Sequence, residues 1–296
     1  MIETSMIETG SPDHAGSRQP ASYLFVPGNR PDRFAKAAAS GADSIIIDLE
    51  DAVGSDDKDH ARAAAVDWFA GGGAGVLRIN GADTPWFAPD LEALAGCPKA
   101  VVMVPKANVA ALNEVSRHLP GRPLIALLES VEGLMQIHDL AAAPGVCRIA
   151  FGNLDFGLDA RIPGTGAGLD PVRLQIAIAS RQAGLPPPVD GVTVDLEDTD
   201  ALAADVARVR DLGFTAKLCL HPRQVAVVNS GFAPTEAEIE RARRIVAAVR
   251  SANGGVVQLD GRMIDRPVVD RARALLDAAG DAPSGDHASV EVASRP

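Results

Sequence analysis

Ile45-Ile46-Ile47-Asp48-Leu49-Glu50-Asp51 places three β-branched apolar residues directly before three carboxylates in four positions, with no base beside them. The run reads as a strand buried on both faces, the kind that a parallel sheet covered by helices requires. Charged groups at its end bury poorly unless they gather around solvent, a metal or a ligand. The pattern recurs along the chain. Val76-Leu77-Arg78-Ile79-Asn80, Val101-Val102-Met103-Val104-Pro105-Lys106, Leu124-Ile125-Ala126-Leu127-Leu128-Glu129 and Ile149-Ala150-Phe151-Gly152-Asn153-Leu154-Asp155 are apolar runs that close on polar or charged side chains.

Between these runs lie amphipathic stretches. Strands are predicted over 23–26, 44–48, 75–80, 100–105, 123–130, 148–155, 190–195 and 216–221. Helices are predicted over 31–40, 58–69, 90–95, 108–118, 134–142, 171–184 and 200–212, with another over 236–250 after the last strand. Such alternation predicts right-handed βαβ units, and eight of them in about 230 residues match an α/β fold, the closed (β/α)8 TIM barrel. An open doubly wound sheet also alternates, but no Gly-x-Gly-x-x-Gly follows the first strand, and charge closes many strands rather than one switch point. In a barrel the strand ends meet at the C-terminal face, where active sites of this fold sit.

The 296 residues are 47% hydrophobic, enough for one large core, and carry a formal net charge of −11. That charge argues against a nucleic-acid surface, which needs clustered Lys and Arg. Cys97, Cys147 and Cys219 stand far apart with neither zinc nor disulfide spacing, which suits a reducing cytoplasm. No apolar stretch approaches the roughly 20 residues that span a bilayer, and no secretory signal opens the chain, so no membrane association is expected. Met1-Ile2-Glu3-Thr4 recurs as Met6-Ile7-Glu8-Thr9 and opens a polar segment, 1–21, expected to be a disordered leader. The barrel is expected over 22–250, a C-terminal extension of hairpin plus helix over 251–278, and a disordered tail over 279–296.

Glu129 and Asp155 close two neighbouring runs, so a barrel brings them together. Two carboxylates at a dry mouth repel, and either one holds a proton or a cation sits between them. Oxygen ligands with no His or Cys nearby favour Mg2+ over zinc. Each could instead cap a following helix, but Asp155 is expected to be followed by no immediate helix, which favours the metal. Arg78 is unusual inside a strand unless it points into the mouth. There its fork suits the carboxylate of a 2-oxo or 2-hydroxy acid whose other end a metal chelates; a buried pair with Glu50 or Asp51 is the alternative, and both can hold. Asp48 and Glu50 share one face by strand alternation, and Glu50 and Asp51 are assigned to holding metal waters and Arg78. After the first strand, Pro27-Gly28-Asn29-Arg30-Pro31-Asp32-Arg33-Phe34-Ala35-Lys36 sets three bases near a helix N-terminus, a setting for an anionic group such as phosphate. His221, beside Pro222, stays outside the core assignment.

Tyr23-Leu24-Phe25-Val26-Pro27-Gly28, Asp48-Leu49-Glu50-Asp51-Ala52-Val53, Leu77-Arg78-Ile79-Asn80, Phe151-Gly152-Asn153-Leu154-Asp155-Phe156, Lys217-Leu218-Cys219-Leu220-His221-Pro222-Arg223-Gln224 and Asp260-Gly261-Arg262-Met263-Ile264-Asp265-Arg266-Pro267 together resemble the citrate lyase β-subunit-like proteins of the HpcH/HpaI aldolase superfamily. The resemblance runs in order over 22–278. It implies a TIM barrel with Mg2+ on Glu129 and Asp155, the substrate carboxylate on Arg78, and reversible carbon–carbon cleavage of a 3-hydroxyacyl-CoA thioester such as malyl-, citramalyl- or citryl-CoA. Arg33 and Lys36 resemble positions that meet the CoA phosphates. It implies also a homo-oligomer, commonly a trimer and otherwise a hexamer, in which the extension reaches a neighbouring subunit and Asp265 completes that subunit's active site. From the residues alone Asp265, before Arg266-Pro267, is equally a helix N-cap. Two rival functions are a metal-dependent 2-oxo-acid aldolase acting without CoA and a non-catalytic CoA- or ligand-binding accessory subunit.

Overall fold

The computed structural model describes residues 19–251 and 257–281, so the expected leader and tail lie almost wholly outside the described residues. Eight parallel strands close into a barrel in chain order: β1 (Ser22–Pro27), β2 (Ser44–Asp48), β3 (Val76–Arg78), β4 (Val101–Val104), β5 (Leu124–Leu128), β6 (Val146–Phe151), β7 (Val189–Asp190) and β8 (Ala216–Cys219), which pairs back onto β1. The connecting helices are α1 (Phe34–Ala38), α2 (Lys58–Ala70), α3 (Phe87–Leu94), α4 (Val109–His118), α5 (Val131–Met135), α6 (Ile137–Ala141), α7 (Asn153–Ala160), α8 (Asp170–Gln182) and α9 (Thr199–Asp211), with α10 (Pro222–Phe232) after β8. The TIM barrel expected from the alternation is the observed fold.

Side-chain alternation explains how these strands become both core and site. Ile46, Val76, Ile125 and Leu127 point into the barrel with Tyr23, Met103, Val189 and Leu218. Ile45, Ile47, Leu77, Ala126 and Leu128 point outward into the layer beneath the helices. A period of two therefore makes Asp48, Arg78 and Glu129 the next inward positions above Ile46, Val76 and Leu127. At the opposite end Arg148 plugs the barrel, donating to the carbonyls of Pro20 (2.8 Å) and Pro187 (2.8 Å), to Tyr23 Oη (3.0 Å) and to Thr215 Oγ1 (3.0 Å). Pro20 and Ala21, placed in the leader from sequence, are thus part of the barrel floor.

Three of the expected elements differ most. The sixth strand ends at Phe151 rather than 155, because Gly152 turns the chain and α7 begins at Asn153. The seventh is two residues long rather than 190–195: Val192 N bonds Asn153 Oδ1 at 2.8 Å instead of a neighbouring strand. The helix expected over 134–142 is two short helices parted at Gln136, the first capped by Ser130, whose hydroxyl accepts from Gly133 N at 3.0 Å.

A buried ionic network braces the short β7 from outside. Asp190 accepts from Lys217 Nζ at 2.6 Å and Arg173 Nε at 2.7 Å, and none of the three side chains is appreciably exposed. Removing one member of such a network leaves an uncompensated charge and costs about 3–5 kcal/mol. Asp190→Ala is accordingly expected to lower the melting temperature by about 10 °C. A shift of only one or two degrees would show that the network is not holding β7.

The chain divides after Phe232, so the helix expected to finish the barrel at 250 belongs instead to a second compact unit. In that unit α11 (Glu236–Ser251), the hairpin β9 (Val257–Leu259) and β10 (Arg262–Ile264), and α12 (Arg266–Ala278) share a core of Ala242, Ile245, Val246, Ile264, Val269, Ala272 and Leu276. That shared core is the physical reason for the earlier boundary. Asp260 (φ 51°) and Gly261 (φ 74°) form the two-residue turn, both in the left-handed region that a tight hairpin demands. Among the described residues no helix is long and apolar enough to cross a membrane.

Candidate active site at the barrel mouth

The inward residue at the end of β2 organises the mouth. Asp48, 1% exposed, accepts Arg78 Nε on one oxygen (2.7 Å) and Nη2 on the other (2.6 Å). The same two oxygens accept the backbone N–H groups of Glu50 (2.9 Å) and Ala52 (3.1 Å). One carboxylate thus folds the turn after β2 and clamps the guanidinium on the adjacent strand. Arg78 keeps Nη1 for Glu50 Oε2 at 3.0 Å and Asp51 Oδ2 at 3.2 Å, and its guanidinium carbon lies 5.0 Å from the centre of the Phe25 ring. Burial disfavours the Arg78 cation, but the surrounding carboxylates, Asp48 foremost, reverse this and raise its pKa. Sequence reasoning offered Glu50 or Asp51 as its partners; both are there, and the principal one is Asp48. The only signal for it was the register that sets Asp48 beside Arg78.

Glu129 follows β5 and is 4% exposed. Its Oε1 accepts the backbone N–H of Lys106 at 2.6 Å, and Lys106 adopts φ 44°, a left-handed conformation unusual for lysine, to present it. Burial pushes Glu129 up to about 8; the charge of Glu50 adds to this, and the Lys106 N–H and Arg78 oppose it. Burial likewise pushes Glu50 up to about 7 against the pull of Arg78. Glu50 Oε2 is buried without a hydrogen-bond donor, its approach to Arg78 being that of a close ion pair. Gly152 brings the start of α7 against Glu129: a Cβ there would lie 2.6 Å from both its Cβ and its Oε2. Asp155 is exposed, lines the same cavity as Glu129, and raises the Glu129 pKa by its charge. It sits in the first turn of α7, which corrects the expectation that no helix follows at once. The positive end of a helix welcomes a carboxylate there whether or not a metal binds.

Phe25, Leu127, Val192, Leu218 and Leu220 form the apolar wall of a cavity of about 330 Å³, and Asp48, Asp51, Arg78, Glu129 and Asp155 form its polar side. Asn153, absent from the sequence assignment, is buried and ties this wall together, donating to the carbonyls of Gly164 (2.7 Å) and Val192 (3.2 Å). Among the described residues no three His, Cys, Asp or Glu side chains are grouped to hold a metal. The pair Glu129 and Asp155 suits a cation that keeps most of its waters, as Mg2+ does, rather than zinc with three or four protein ligands. A buried acceptor without a donor, Glu50 Oε2, suits a hydrogen-donating water on such a cation.

Arg33 and Lys36 are exposed in the segment after β1. The helix N-terminus expected there is a 3₁₀ turn, Pro31–Arg33, followed by the five-residue α1, and Arg30 is held by Asp32 at 2.8 and 2.7 Å. His221 Nδ1 accepts from Arg223 N at 3.1 Å, a local capping role. Asp265, in the C-terminal unit, caps α12 by accepting from Val268 N at 3.2 Å.

The raised carboxyl groups make stability depend on pH. Both have ordinary values of 4.5, so their folded-state shift stabilises fully below that pH and the benefit is lost as pH rises through about 7 to 8. Without divalent cations the melting temperature is expected to fall between pH 6 and pH 9 by an amount equivalent to a few kcal/mol. Millimolar Mg2+ is expected to restore it increasingly toward high pH, because a cation held by Glu129 would have to expel its proton. Thermal melts across that range with and without Mg2+ check this, and a Mg2+ effect that does not grow with pH would contradict it.

A closed (β/α)8 barrel with its carboxylates and one buried arginine gathered at the C-terminal mouth is the architecture of TIM-barrel enzymes. The chain belongs to the HpcH/HpaI aldolase/citrate lyase family, whose model matches residues 21–222. A (3S)-malyl-CoA thioesterase of Cereibacter sphaeroides is 35% identical over 87% of this chain and 94% of its own length. A citrate lyase subunit beta-like protein of Mycobacterium tuberculosis is 38% identical over 88% of this chain and 96% of its own. The crystal structure of the protein CitE from Mycobacterium tuberculosis in complex with magnesium, acetoacetate and coenzyme A aligns with a TM-score of 0.79 at 34% identity, covering 89% of this chain and all of that one.

Proposed function

We propose that this chain is a Mg2+-dependent carbon–carbon lyase that cleaves or forms a 3-hydroxyacyl-CoA thioester of the malyl, citramalyl or citryl type, giving acetyl-CoA and a 2-oxo acid. The observation that carries this is the placing of Arg78 and the pair Glu129 and Asp155 around one cavity. Glu129 and Asp155 hold Mg2+, and Glu50 and Asp51 hold its waters and Arg78. Mg2+ bound there would make the 3-hydroxyl of the thioester more acidic, so that its proton leaves and the oxygen's electrons close the 2-oxo carbonyl as the carbon–carbon bond breaks, the proton lost there balancing the one the acetyl enolate gains; in the condensing direction it would polarise that carbonyl. Arg78 takes the acid's carboxylate through Nη1, where it replaces the exposed Asp51 carboxylate that now lies 3.2 Å away. Apolar walls exclude water from the acetyl thioester, whose enolate takes up a proton as the bond breaks. Asp265 of a neighbouring copy is assigned to that proton transfer, and Arg33 and Lys36 to the CoA phosphates.

Support for substrate and metal comes from the relative crystallised with magnesium, acetoacetate and coenzyme A. A homo-oligomer, trimer or hexamer, is part of the proposal; exposed Met135, Leu158, Leu174 and Ile178 are the apolar surface that such an assembly would cover. The free cysteines Cys97, Cys147 and Cys219 accord with a cytoplasmic enzyme. A second reading, hydrolysis of the thioester, is favoured by the name of the Cereibacter relative.

Incubation of the protein with Mg2+ and malyl-CoA or citramalyl-CoA separates these. Acetyl-CoA with glyoxylate or pyruvate marks the lyase, and free CoA thiol with the intact hydroxy acid marks the hydrolase. If neither appears while free 2-oxo acids react with aldehydes, the chain is an aldolase without CoA; if nothing reacts but CoA binds, it is an accessory subunit.

A further inference from the structure

Lys58, the first residue of α2, is 6% exposed and lies outside the assigned chemistry. Its ammonium uses all three protons on neutral oxygens: the carbonyls of Leu49 (2.6 Å) and Glu50 (2.8 Å) and Asn80 Oδ1 (2.6 Å). Its Nζ lies 5.1 Å from the centre of the Trp86 ring. No carboxylate pairs with it among the described residues, so it is a buried cation held without a direct counter-ion. Burying such a charge costs several kcal/mol, which makes it a poor choice for filling a core.

What the ammonium holds explains its presence. Leu49 and Glu50 lie beyond the end of β2, where their carbonyls have left the strand ladder. The amide side of this turn is tied by Asp48 and the carbonyl side by Lys58. Asn80 in turn is fixed by Asp90, whose Oδ2 accepts its backbone N–H at 2.8 Å and its side-chain amide at 2.7 Å, and Asp90 Oδ1 accepts Arg62 Nε at 2.7 Å. The turn that carries Glu50 and Asp51 is therefore anchored through Lys58 to α2 and α3. These are the two carboxylates that face Arg78 Nη1.

We propose that Lys58 is a positioning residue: by holding the Leu49 and Glu50 carbonyls it sets Glu50 and Asp51 against Arg78 Nη1 and so tunes the affinity of the site for the carboxylate of a 2-oxo acid. For its ligand this rests on the lyase reading of the mouth; for its local effect it does not.

The test compares wild type with Lys58→Met by hydrogen exchange without ligand and by calorimetric titration of pyruvate in saturating Mg2+. Faster exchange confined to the amides of Glu50, Ala52 and Val53, with Mg2+ and pyruvate each bound about tenfold or more weakly, is expected. Unchanged exchange in that turn, or exchange that rises evenly over the barrel strands, overturns the proposal, as does unchanged pyruvate affinity. If wild type binds neither pyruvate nor glyoxylate, the lyase reading falls, and the exchange result still decides the role of Lys58. Should Lys58→Met fail to fold, Lys58→Ala with added n-propylammonium carries the same comparison: restored protection of those three amides supports the role, and no restoration overturns it.

Discussion

Glu129→Gln is expected to abolish Mg2+ binding at the barrel mouth and to lower turnover by about a thousandfold or more, the loss that removing a metal-held transition-state charge entails. Glutamine keeps the shape of the side chain and an oxygen to accept the Lys106 N–H, so the fold should survive. It removes the charge that burial and Glu50 disfavour. Two readouts should consequently move in opposite directions: calorimetric Mg2+ binding disappears, while the melting temperature of the metal-free protein at pH 8 to 9 rises above that of wild type. Asp155→Ala should lose metal and activity as well, but with a smaller rise, because Asp155 is exposed at the start of α7 and its charge adds less to the Glu129 shift than burial and Glu50 do. Mg2+ binding by Glu129→Gln within tenfold of wild type would remove this residue from the metal site.

The barrel was legible because its strands are buried on both faces, and runs such as Ile45-Ile46-Ile47 leave little else for the chain to be. Their ends were less legible. An apolar residue recurs at Leu154, yet the strand stops at Phe151, since what ends it is a glycine free of Cβ beside Glu129 and an asparagine that captures the chain after β7. Both are long-range facts that local hydropathy does not carry. The C-terminal boundary was missed for a similar reason: α11 is amphipathic like any barrel helix, and only its packing partner, the core shared with Ile264 and Leu276, assigns it elsewhere.

Within the site, Arg78 was legible as a guanidinium inside an apolar run, and Glu129 and Asp155 as carboxylates that close two neighbouring runs. The hierarchy among the carboxylates was not. Asp48, Glu50 and Asp51 are three acids in a row of four, and what separates their roles is register, burial and turn geometry. Asp48 satisfies four donors, Glu50 keeps an oxygen with none, and Asp51 stands in solvent. Lys58, nine positions beyond Leu49, carries no mark in the sequence beyond its place in a predicted helix, and only the fold turns it inward.

Asp265→Asn is expected to leave both Mg2+ binding and α12 intact while lowering turnover by about 10²- to 10⁴-fold, the usual contribution of a group that moves a proton in the transition state. Asparagine caps a helix as well as aspartate does, so the bond to Val268 N survives and a loss of activity cannot be charged to unfolding. Whether Asp265 serves a neighbouring copy is settled by mixing. Glu129→Gln supplies a sound extension with a dead barrel, and Asp265→Asn a sound barrel with a dead extension. After subunit exchange in an equimolar mixture, sites built from two chains of a closed ring recover about a quarter of wild-type activity. If the mixture stays as inactive as its components while exchange is demonstrated by mixed oligomers, Asp265 acts on its own barrel. Full activity in Asp265→Asn alone would show that the cap on α12 is its whole role.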